Sequence, residues 1–200
     1  MVTEPREHSR QLLLRRGRRL ELTTLGWNVL GVVVLAFAAL RARSVALAGF
    51  GLDSVIEIGA SMVVLWELAD VAQNRRHKAM KMIGSAFVVL AVYVAVQSTA
   101  VLIIGFRPHH SPVGMVWTGL TALVMFMLAA GKAKTGAGLG NPVLKAEGRV
   151  TLIDGILATA VVVGLALNAL AGWWWADPIA GYVIVYYAIR EARGSLKQCR

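Results

Sequence analysis

Short basic clusters divide this chain into apolar runs long enough to cross a bilayer. That spacing excludes more folds than any other feature of the sequence. A membrane-spanning helix needs about 20 mostly apolar residues at about 1.5 Å per residue. Six segments qualify: Leu20–Leu40, Val45–Leu68, Met82–Phe106, Val113–Ala130, Pro142–Ala171 and Ala176–Ile189. The sixth is short, but Trp173, Trp174 and Trp175 precede it and Tyr182, Tyr186 and Tyr187 lie within it, as interfacial or packing aromatics. Hydrophobic residues make up 57% of the chain, above the roughly 45–50% of a soluble domain. The expected fold is an all-α membrane protein of six transmembrane helices. Its parts are a basic N-terminal tail over 1–19, a six-helix domain over 20–194 and a short tail over 195–200, with no C-terminal soluble domain.

The distribution of charge sets the expected orientation. Of 21 Lys and Arg, all but Arg41, Arg43 and Arg107 fall in four places: the N-terminal tail, the connections after the second and fourth segments, and the C-terminal tail. With six spans these four places share one side of the membrane. Cationic connections are retained in the cytoplasm, so both termini are expected there, in the cell membrane. The formal charge of +10 is explained by this pattern, and no readable nucleic-acid motif accompanies it. The polar, Arg-rich start predicts no cleaved signal peptide. The single cysteine, Cys199, excludes an intrachain disulfide and a Cys-based metal cluster. The stretch from Lys132 to Pro142 is Gly-rich and reads as a flexible connection, with Pro142 opening the fifth helix.

Few ionisable residues fall inside the apolar runs, and these carry the functional expectation. A charge at mid-membrane is expensive and persists where it pairs, lines a wet cavity or binds an ion. Asp53 and Glu57 are spaced i, i+4, so they share one helix face at about 5–6 Å between Cβ atoms. No basic residue lies between Val45 and Leu68. Two unneutralised carboxylates this close repel unless a proton or cation lies between them. The plainer alternative is a protonated pair bonded between helices. Asp154 is flanked by Leu152, Ile153, Ile156 and Leu157; its alternative is a pairing with Arg149. Thr151 lies one turn and Glu147 two turns away on the same face. Thr151 can offer an oxygen. Glu147 fits an edge ion pair with Lys145 or Arg149 at least as well as a metal role. Asn28 reads equally as ligand or as interhelical glue, Gln97 as glue. Glu67 and Asp70 are expected at the interface, the His109–His110 pair in a polar loop, and Asp177-Pro178 at the start of the sixth helix. No Ser/His/Asp or Cys/His set lies in the spans, which leaves an enzyme without support.

Three stretches resemble one family. Ser44–Leu47 with Leu52–Ser61 looks like the second helix of the cation diffusion facilitator, or cation efflux, transmembrane domain, with its acid-x-x-x-acid motif. Lys145–Asp154 resembles the start of its fifth helix and Gly172–Ala180 the turn into its sixth. The resemblance implies a secondary transporter that exports a divalent cation such as Zn²⁺ in exchange for protons. The site carried over is Asp53, Glu57 and Asp154, with no organic cofactor, and a homodimer in the lipid bilayer as the usual form. The fourth position of the family pattern, a His or Asp, is Val150 here, and Glu57 stands for the more usual Asp. Carboxylates without imidazole make a harder site, suited to Mn²⁺, Fe²⁺, Mg²⁺ or Co²⁺ with water or Thr151 completing the shell. The lost ligand and the missing soluble domain leave a second reading open: a non-transporting member acting as sensor, scaffold or partner subunit.

Overall fold

The computed structural model describes residues 4–42, 45–69, 73–105, 112–173 and 175–197. His109, His110, Asp70, Arg43, Arg107, Trp174 and Cys199 lie outside the described residues. Six helices follow one another: α1 (Glu4–Ala42), α2 (Val45–Ala69), α3 (Gln73–Ile104), α4 (Pro112–Leu139), α5 (Pro142–Ala171) and α6 (Ala176–Lys197). By length and composition α1, α3, α4 and α5 are apolar enough to cross a membrane. Between Phe50 and Ala69, α2 carries Asp53, Glu57 and Glu67, and α6 is the shortest helix and ends in a basic turn.

The helices outrun the apolar runs that predict them. α1 begins at Glu4, so the basic segment and the first apolar run form one continuous helix. α6 opens at Ala176, one residue before Asp177. The largest correction concerns the Gly-rich stretch. It is not a flexible loop: α4 continues to Leu139. Gly140, at φ +59°, ends the helix, with its N–H bonded to Ala137 O and the Asn141 N–H to Gly136 O. This is the paired arrangement of a left-handed helix stop. Asn141 then caps α5, its Oδ1 accepting from the N–H of Val143 at 2.9 Å and Leu144 at 3.1 Å. Pro142 takes the first helical position, where no N–H is needed.

Contacts arrange α1, α2, α5 and α4 as a ring in which each helix touches the next. α3 and α6 pack on each other and lie against α2 and α5. The Nη2 of Arg18 on α1 donates to Leu68 O at the end of α2. Gly84 near the start of α3 faces Leu196 near the end of α6. Gly138 at the end of α4 faces Leu13. The basic part of α1, the ends of α2, α4 and α6 and the starts of α3 and α5 therefore share one end of the bundle. Trp27 stacks on Trp117 at 4.9 Å between ring centroids and donates to Thr121 Oγ1, joining α1 to α4. The outer surface is apolar: Val33, Phe37, Val96, Val116, Leu123 and Met127 are all more than half exposed. The polar residues that matter face inward.

Candidate functional site

Asp53, Glu57 and Asp154 are all buried, each no more than 3% exposed. α2 supplies the first two on one face, and α5 brings Asp154 against them. Asp154 faces both partners within hydrogen-bonding range, should one carboxyl carry a proton. As carboxylates they have no donor to share, and both Asp154 oxygens, Asp53 Oδ2 and Glu57 Oε1 are left without a hydrogen-bond partner. Asn28 on α1, also buried, donates from Nδ2 to Glu57 Oε2 at 3.3 Å and to Thr24 O at 3.0 Å. Tyr93 on α3 lies beside Asp53, and its hydroxyl has no partner. The three acids do not form a ready coordination shell. Among the described residues, no group of three or more His, Cys, Asp or Glu is arranged to hold a metal ion as it stands. Val150, one turn from Asp154, belongs to the apolar core.

Arg149 does not neutralise Asp154. It pairs with Glu191 across α5 and α6. The alternative that Asp154 is held by the nearest arginine therefore fails. Glu147 is corrected in the opposite sense. It does not lie at the edge with a surface partner: it is fully buried and accepts from Lys132 Nζ at 2.5 Å. Lys132, expected in the cytoplasmic connection, is itself fully buried on α4. Its ammonium also donates to Thr151 Oγ1 at 3.0 Å and lies 3.3 Å from Glu21 Oε2 on α1. Ser61 Oγ on α2 donates to Glu147 Oε1 at 3.4 Å. Glu67, expected at the interface, turns toward other helices. It is buried, accepts from Asn141 Nδ2 at 2.8 Å and lies 3.6 Å from Arg76. Gln97 is half-buried and lines a small pocket with Ser98 and Gly181 between α3, α5 and α6, as a residue between helices would.

Glu21 and Lys132 escape a reading of the apolar runs because both fall at or beyond their ends. A register signal does exist for Lys132. Met125, Leu128, Ala129, Lys132 and Thr135 follow helical spacing, and all five are buried. A lysine continuing a buried stripe must meet acids inside.

Residues 22–200 match the cation efflux transmembrane domain. The chain belongs to the cation efflux family, whose members are transporters of metal cations rather than enzymes. A search of curated proteins returns no match.

Proposed function

We propose that this protein exports a divalent metal cation across the cell membrane, in exchange for protons, with Asp53, Glu57 and Asp154 as the transported ion's ligands. The observation that carries the reading is three buried carboxyls facing one another across α2 and α5 with four oxygens unpartnered. Carboxylates in this arrangement repel until a proton or a cation joins them. Rotation of their side chains, with Asn28, Thr151 or water supplying further oxygens, would complete the shell. Such a donor set favours manganese, iron, magnesium or cobalt over zinc. With Val150 at the fourth corner, the exchanged protons ride on the carboxylates.

All six helices cross the bilayer in this reading, and both termini lie in the cytoplasm. The gathering of Arg18, Arg76, Lys145 and the end of α6 toward one end of the bundle supports it, since cationic ends are retained inside. A homodimer in the bilayer is the proposed working form. Inverted vesicles carrying the protein should show metal-dependent uptake that Asp53→Ala and Asp154→Ala each abolish; unchanged flux in either variant sinks the site. The second reading, a sensor or scaffold, is favoured by one observation: the apolar burial of Val150. Calorimetric titration of the purified protein with Mn²⁺ followed by flux measurement separates them, because a sensor binds without transporting.

A further inference from the structure

Three helices carry polar residues in register through the bundle. On α1 they are Glu21, Thr24 and Asn28; on α2, Ser61, Glu57 and Asp53; on α5, Glu147, Thr151 and Asp154, and all nine are buried. One end of this set is the carboxylate triad. The other is the cluster around Lys132, about 10 Å away along α5 at about 1.5 Å per residue. The Lys132 ammonium lies close enough to Glu57 to feel its charge.

The cluster holds more oxygen than one ammonium uses. Lys132 donates to Glu147 Oε1 and Thr151 Oγ1 and has Glu21 Oε2 as an ion-pair neighbour at 3.3 Å. Glu147 Oε2 and both Glu21 oxygens remain, fully buried and without a hydrogen-bond partner. Two acids against one base also leave the cluster one positive charge short when both are ionised. A structural tie for Lys132 would need one carboxylate. Two carboxylates with the hydroxyls of Thr151 and Ser61 form the all-oxygen set that hard divalent ions prefer.

We propose that Glu21, Glu147 and Thr151 form a second cation station, filled in this conformation by the Lys132 ammonium. A divalent ion travelling between the triad and the basic end of the bundle exchanges places with that ammonium. The lysine acts as a tethered stand-in that keeps the path neutral between ions. Its four-carbon stem is flexible, so the ammonium can withdraw as an ion enters. The station's part in transport rests on the triad reading; its capacity to hold a cation does not.

The test therefore removes the triad. The full chain carrying Asp53→Asn and Asp154→Asn, in lipid nanodiscs, is titrated with Mn²⁺ by calorimetry. No binding is expected while Lys132 occupies the station. Adding Lys132→Met should open it, with affinity for a single Mn²⁺ per chain rising at least about tenfold. Adding Glu147→Gln to that variant should abolish the gain. Absence of Mn²⁺ binding in the folded, lysine-free chain overturns the proposal, as does a gain that survives Glu147→Gln. Should Lys132→Met fail to fold, Lys132→Gln, which keeps hydrogen bonds to Glu147 and Thr151, replaces it. Failure of both to fold overturns the proposal too, because the lysine is then a structural tie and not an exchangeable ion. Loss of flux in Asp53→Ala, by contrast, bears on the triad alone.

Discussion

A carboxylate surrounded by apolar side chains is costly unless something shares its charge. Asp154 illustrates this, because its neighbour in sequence, Arg149, is committed to Glu191 and its neighbours in space are two more acids. What steadies the group is lateral. Asn28 gives Glu57 its donor, and partners that orient a ligand typically contribute 10–100-fold to metal affinity. Asn28→Ala should therefore weaken Mn²⁺ binding by roughly 10–100-fold while the protein still folds, read by calorimetry against size-exclusion behaviour. Val150 tests the chemistry of the fourth corner. Imidazole is the softer ligand that zinc prefers over manganese, so Val150→His should raise the ratio of zinc to manganese uptake in inverted vesicles. An unchanged ratio would mean that residue 150 does not face the transported ion. These residue types and spacings are legible in the sequence. The donor to Glu57 is not, because Asn28 and Glu57 lie on different helices and only their packing brings them together.

Elements in this protein are set by their ends and by the closeness of their packing. The α4–α5 junction does three things with three residues: Gly140 stops one helix, Asn141 caps the next, and Pro142 fills its first turn. Asn141 also satisfies buried Glu67. Asn141→Ala should cost about 1–3 kcal/mol, from a lost cap and an unpaired buried acceptor, measurable as a lowered thermal midpoint in detergent. Gly136 shows why this junction is compact. A methyl group there would stand 3.0 Å from the backbone N and Cγ of Lys145 and 3.3 Å from Asn141 O. Backbone cannot step aside as a side chain can. Gly136→Ala should destabilise by about 1–3 kcal/mol through overpacking, and a neutral effect would show that the two helices part easily. Composition marks this region as a glycine-rich connection. Its folding into helix depends on α5 and α1 lying against it, and no local signal states that.

The whole molecule is a ring of α1, α2, α5 and α4 with the α3–α6 pair at its side. In the proposed arrangement of six crossings both termini would lie on one side of the membrane. Cys199, the only cysteine, makes a clean reporter for this. A membrane-impermeant thiol reagent should label it in inverted vesicles and not in intact cells; labelling of intact cells would reverse the orientation. Family and membrane character are decided by long apolar runs and by acids at helical spacing, both properties of consecutive residues. The sequence by itself therefore determines the helices, the family and the three carboxylates on their faces, because a helix's register converts spacing into direction. Tertiary structure alone decides which charges meet. It moves Lys132 from a presumed loop into the interior, turns Glu147 from the surface to that lysine, and brings Glu21 to both. These residues are separated along the chain by 15 positions or more, and Coulomb attraction between buried groups depends on distance through space and on exclusion of water, neither of which a linear order of residues contains.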